Sequence, residues 1–149
     1  MQVTLAHIGT RSASRDDFQR LTTGYLDRCS AFSRPAVRVF RSEADLLDWL
    51  ESHQARTVPV LVAFDRSGRQ FTSEAFAEWI GKQRDQGAQH LVFAIGPADG
   101  WSATALGRAK LVLSLGAWTL PHLLARLVVA EQLYRAFTIL SGHPYHCGH

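Results

Sequence analysis

Residues 90–116 read HLVFAIGPADGWSATALGRAKLVLSLG. Two apolar runs, HLVFAI and KLVLSL, each lead into a glycine, Gly96 and Gly116. Between them Ser102 to Ala109 reads as a short helix. Strand, helix, strand in that order is the unit of a parallel sheet, because parallel neighbours need a crossover connection. In open sheets of this kind ligands gather beyond the carboxyl ends of the strands, where glycine lets the backbone come close. Gly96 and Gly116 are therefore the first candidates for a binding site, although glycines also end strands for purely steric reasons.

The alternation continues outward. TVPVLVAF (57–64) is apolar on both faces, as a central parallel strand requires, with Pro59 costing one ladder hydrogen bond. A turn at Asp65-Arg66-Ser67-Gly68 follows, and Thr72 or Ser73 caps a helix that carries Phe76, Trp79 and Ile80 and closes at Gly87. VTLAHI (3–8) and AVRVF (36–40) read as strands. Between them Ser14 offers a cap, Asp16 and Asp17 suit a first turn, and Phe18, Leu21, Tyr25 and Cys29 fall on one helical face. EADLLDWLESH (43–53) is a short amphipathic helix, and the last helix runs from near Pro121 to about Leu140. The expected fold is one α/β domain over residues 1–149 with a mostly parallel sheet.

That last helix is apolar around most of its circumference: Leu123, Leu124, Leu127, Val128, Val129, Leu133, Tyr134, Phe137, Ile139 and Leu140 leave little polar face. One side packing on the sheet and another on a second copy of the chain would account for it, so a homodimer is expected.

With 46% hydrophobic and 19% charged residues among 149, disorder is excluded as the default. A net charge of +3 permits a polyanionic partner without requiring one. No G-x-G-x-x-G or G-x-x-x-x-G-K-[ST] occurs, so dinucleotide and P-loop chemistry have no support. Two distant cysteines, Cys29 and Cys147, form no framework and point to a reduced compartment. MQVTLAHIGT lacks the pattern of a signal peptide, and Arg126, Glu131 and Arg135 interrupt the longest apolar stretch. A cytoplasmic protein with no membrane partner is expected.

The chain ends on GHPYHCGH, residues 142–149. His143, His146, His149 and Cys147 are metal-ligand types, but four ligands crowded into seven residues are unlike the separated pairs of structural zinc sites. On residue chemistry alone a frayed tail ranks first, an active-site element second and a metal site third. Glu131 and Arg135, spaced i, i+4, read as a helix ion pair. His122 after Pro121 reads as a packed histidine able to bond a loop.

Several of these pieces together resemble one family. LPHLLARLVVAEQLYRAFTILSGHPYH (120–146) is similar to the C-terminus of the small SPOUT methyltransferases of the ribosomal RNA large subunit methyltransferase H family. FDRSGRQFTSEAFA, AIGPADG, LSLGAWTLPH and HIGT resemble its other segments, so the likeness covers nearly the whole chain. The resemblance implies a SPOUT-type α/β fold with a deep C-terminal trefoil knot, knot and cofactor site lying within about residues 90–149. It implies S-adenosylmethionine as cofactor, no metal, a homodimer, and methylation of ring nitrogen three of a pseudouridine in large-subunit (23S-type) ribosomal RNA, on assembled ribosomes.

Carried over by position, the cofactor residues are Phe64, Gly96, Leu115, Gly116, Ala117, Trp118, Thr119 and Leu120. Trp118 is as readily a core or interface aromatic. The residues of the chemistry would be His146 as base or proton relay, Arg135 stabilising the imide anion, and Tyr145 stacking on or bonding the flipped-out base. In a dimer the tail of one subunit would complete the cofactor pocket of the other. Two departures stand out: Gly96 is followed by Pro97 instead of a second glycine, and the lysine-rich segment between the second and third strands is missing. Arg11, Arg15, Arg20 and Arg28 would compensate by phosphate contacts. The alternative from another class is a non-catalytic RNA-binding or ribosome-assembly factor that kept the fold.

Overall fold

The structure, a computed structural model, describes residues 1–9, 16–53 and 57–148. Ser14, Arg11, Arg15 and His149 lie outside the described residues. Five strands, β1 (Gln2–Ile8), β2 (Arg34–Phe40), β3 (Val60–Arg69), β4 (His90–Ile95) and β5 (Leu111–Leu113), form one sheet in the order β2-β1-β4-β3-β5. Every pairing is parallel. The helices are α1 (Asp17–Cys29), α2 (Glu43–Ser52), α3 (Ser73–Asp85), α4 (Ala103–Arg108) and α5 (His122–Ser141).

Side-chain alternation along the strands divides the interior in two. Val3, Leu5, Val62, Leu91 and Phe93 point into a core closed by α1, α3 and α5. Ala6, Ile8, Leu61, Val92 and Ala94 point the other way, against Leu46 and Leu50 of α2 and the Trp101 and Ala109 side chains flanking α4. β4 is buried along its whole length, as the middle strand of the sheet must be.

Three boundaries differ from the sequence reading. Asp16 caps α1, its carboxylate accepting the Phe18 amide at 2.8 Å and the Gln19 amide at 3.2 Å. The buried face of α1 is Thr22, Leu26 and Cys29, while Phe18 and Leu21 are exposed. β3 begins after Pro59, which therefore removes no ladder bond, and it runs through the expected turn to Arg69. Asp65 does make the local bonds of a turn, accepting from the Ser67 amide at 2.9 Å and hydroxyl at 2.6 Å. The strand then resumes, so that both Phe64 and Arg69 register with Leu113 of β5. Pro121 is the cap of α5 and not its first turn. No helix of the described residues is long and apolar enough to cross a membrane.

His7, His90 and His122 are all held below the ordinary imidazole range, in each case first by burial. His7 is lowered to about 4 from 6.5, with the Arg126 charge adding to the burial. The unfolded chain takes up a proton near the ordinary value and the native chain resists it, so stability present above pH 6.5 is lost as the pH falls towards 4. Urea unfolding is expected to show a loss of up to about 3 kcal/mol across that window, with little change above it. A profile flat from neutrality to pH 4 would contradict the burial of these rings.

Candidate active site

The middle of β3 at 64–66, the carboxyl end of β4 with the loop after it, the segment 114–120 and the start of α5 enclose a cleft of about 500 Å³. Phe64, Gly96, Leu115, Gly116, Trp118, Thr119 and Leu120 line it; Ala117 belongs to the same segment but is not among the lining residues. Gly116 has φ +119°, a conformation that favours glycine, and Ser114 steadies it by donating to its carbonyl at 3.0 Å and accepting from its amide at 3.2 Å. His122 reaches across from α5, its Nε2 lying 3.2 Å from the Gly96 carbonyl oxygen. Trp118 is 86% exposed, which removes the core-aromatic reading.

Trp101 holds the cleft floor together and was not singled out as a site residue by the sequence. Its indole N–H donates to the Phe64 carbonyl at 3.0 Å, and its ring lies so close to Gly96 that a Cβ there would sit 2.7 Å from it. The residue thus ties the middle of β3 to the loop that leaves β4. An aromatic closing the glycine loop GPADGW was the available signal. Trp101→Phe keeps the ring and deletes the bond, leaving a buried carbonyl without its donor. A loss of about fivefold to tenfold in affinity for S-adenosylhomocysteine is expected by calorimetry.

The second assembly lies on the far half of α5. Arg135 donates to Glu131 Oε1 from Nε at 2.9 Å and from Nη2 at 2.6 Å, and the Tyr145 hydroxyl donates to the same oxygen at 3.0 Å. The Arg135 guanidinium lies 4.9 Å from the centre of the Tyr145 ring, which also meets Tyr134 edge-on at 4.8 Å. His146 sets Nδ1 3.4 Å from Arg135 Nη1 and Nε2 2.9 Å from Glu74 Oε1, at the first turn of α3. The tail therefore does not fray: Tyr145 and His146 are half-buried and a short 3₁₀ turn follows over His146–Gly148. Glu131 bonding holds Arg135 above the usual guanidinium range, and burial raises the Tyr145 phenol, so both keep their protons. Arg135, Tyr145 and His146 stand together, with Glu131 and Glu74 as partners. None of the three lines the cleft.

A family model described as "Predicted SPOUT methyltransferase" matches residues 1–146. A protein of Koribacter versatilis (strain Ellin345) named "Ribosomal RNA large subunit methyltransferase H" is 48% identical over 149 residues, spanning 100% of both chains. This chain is a SPOUT methyltransferase of the ribosomal RNA large subunit methyltransferase H family. A Brucella anthropi relative of the same name is 37% identical over 160 residues, covering 98% of this chain and 99% of its own. Among solved structures, a probable methylase family protein from Haemophilus influenzae Rd KW20 superposes with TM-score 0.57 at 10% identity, over 97% of this chain and 69% of that one. The SpoU methyltransferase AviRb from Streptomyces viridochromogenes gives 0.51 at 16% identity, over 95% and 60%. At such identities these two speak for the fold alone.

For a methyltransferase of this family the expected methyl donor is S-adenosylmethionine. The cleft suits it chemically. Phe64, Ile95, Leu115 and Leu120 supply apolar walls for a purine, and Asp65 and Asp99 supply carboxylates for hydroxyl and ammonium groups. Asp65 is kept ionised chiefly by its bond from the Ser67 hydroxyl.

Proposed function

We propose that this chain methylates ring nitrogen three of a pseudouridine in large-subunit ribosomal RNA on assembled ribosomes. It works as a homodimer, with the 114–120 segment drawn through a trefoil knot around the cofactor. The observation that carries the reading is the convergence of Arg135, Tyr145 and His146 on Glu131 and Glu74, beside a separate cleft fitted to the cofactor.

The cofactor supplies an electrophilic methyl that needs little activation; the imide nitrogen, protonated at neutral pH, is the partner that needs help. Glu74 accepts from Nε2–H of His146, which leaves Nδ1 as the atom able to take the imide proton. Arg135, a permanent cation next to Nδ1, stabilises the negative charge that results. Tyr145, carried on Glu131, presents a ring for the extruded base to stack on. Ala125, the last cleft residue on α5, precedes Arg135 by ten residues, about 15 Å of helix. That span supports a composite site in which the tail of one subunit serves the cleft of the other. Half-exposed Leu124, Leu127 and Val128 on α5, with exposed Phe18 and Leu21 on α1, offer the apolar contact.

Transfer of labelled methyl to ribosomes lacking this modification, compared with free ribosomal RNA, tests the reading. Incorporation at a pseudouridine on ribosomes is the expected result. No incorporation on either substrate, together with no binding of S-adenosylhomocysteine, would favour the non-catalytic assembly factor instead.

A further inference from the structure

A second cavity plays no part in the chemistry above. It is a groove of about 1140 Å³ between α1 and the edge strand β2, reaching inward to His7 and Arg126. His7 is 1% exposed, lines this groove, and among the described residues has no hydrogen-bond partner at either Nδ1 or Nε2. A buried polar group left without a partner costs about 1–3 kcal/mol, so a ring carrying two such atoms is best explained by something that enters to meet it. Beside it Arg126, 2% exposed, donates to the Gln19 side-chain carbonyl.

We propose that this groove receives the target pyrimidine of the RNA, with His7 reading the edge of the base. The inference rests on the methyltransferase reading above and adds to it where the base sits. Position argues for it first. The His7 ring meets His122 edge-on at 5.5 Å, and His122 itself lines the cofactor cleft and bonds Gly96. A base in the groove would therefore be one histidine away from the cofactor.

Chemistry argues for it next. Burial keeps His7 neutral at working pH, so its ring offers one N–H and one lone pair. A phosphodiester accepts only, so it would meet the ring N–H and leave the ring lone pair without a donor. The adjacent N1–H and C2=O of a pseudouridine match a neutral imidazole and the Gln19 amide, and leave the N3 proton to His146. Val37 and Val39 give aliphatic walls for the faces of the base, and Arg20 at the rim suits its flanking phosphate.

The test uses the full chain carrying ¹⁵N-labelled histidine. Uridine and pseudouridine monophosphates are expected to move the His7 ring nitrogens, whereas inorganic phosphate leaves them in place. His7→Phe is expected to lower kcat/KM on ribosomes about tenfold, the size of one lost hydrogen bond. Val37→Trp, which fills the groove from an exposed strand position, should lower it further, with S-adenosylhomocysteine affinity unchanged in both. Nucleotides that leave His7 unmoved, or both variants methylating at the native rate, would overturn the proposal. A shift produced by phosphate as strongly as by nucleotides would make the groove an anion site and overturn it too. A native chain that methylates no RNA while His7 still responds to the nucleotides would defeat the parent reading and leave the groove standing.

Discussion

Replacing Tyr145 and His146 together by alanine is expected to reduce methyl transfer at least about a thousandfold while S-adenosylhomocysteine affinity stays within about twofold. The magnitude follows from what is deleted at once: the basic Nδ1, the ring presented to the base, and the contacts that hold the Arg135 guanidinium in place. Affinity should persist because neither residue lines the cleft. Single changes separate the roles. Tyr145→Phe keeps the edge contact on Tyr134 and loses the hydroxyl bonds to Glu131 and Tyr25, so it should act more mildly than the double change. Glu74→Gln leaves His146 an acceptor but no charge to balance an imidazolium, and should shift the acid limb of the pH–rate profile. A double variant that transfers methyl at the native rate would remove the tail from the mechanism.

Gly68→Ala is expected to destabilise the fold by about 3 kcal/mol, lowering the melting temperature by roughly 10 °C in a domain of this size. A Cβ at Gly68 would stand 2.8 Å from the Leu113 Cα and N, which are backbone atoms and cannot rotate aside. Leu113 registers with β3 twice, at Phe64 and at Arg69, and the Ser114 amide donates to the Arg69 carbonyl at 2.9 Å. Pushing β5 outward therefore also displaces the 114–120 segment that follows it. Differential scanning fluorimetry reads the first effect and calorimetry with S-adenosylhomocysteine the second. An unshifted melt would mean that β5 yields easily.

Much of this was legible in the residues because the deciding forces are local. Ser42, Thr72 and Ser102 each accept the amide three residues on, which is where their side chains place a helix start. The apolar run HLVFAI is buried at every position, as its lack of alternation required. Where two local rules competed the reading went astray. Asp65, Ser67 and Gly68 have turn chemistry and use it, yet pairing with β5 carries the strand past them. On α1 the apolar stripe is wider than the buried one, so spacing alone could not tell Phe18 from Leu26. Glu74 was out of reach for a different reason. Its partner His146 lies 72 positions away, and nothing near Glu74 in the chain marks it. The cofactor residues and the roles in the tail came from likeness to a family and not from periodicity.

The polarity of α5 has a consequence for symmetry. Its first residues border the cleft and its last carry the tail, so the helix is a ruler with a different tool at each end. Two copies laid antiparallel about a two-fold axis through the middle of that ruler bring each tool to its complement, and they do so twice. The arrangement closes after two chains, leaving no end for a third. Head-to-tail stacking would satisfy only one end of each helix and would grow without limit. With the composite site proposed above, such a helix would favour a pair over a filament.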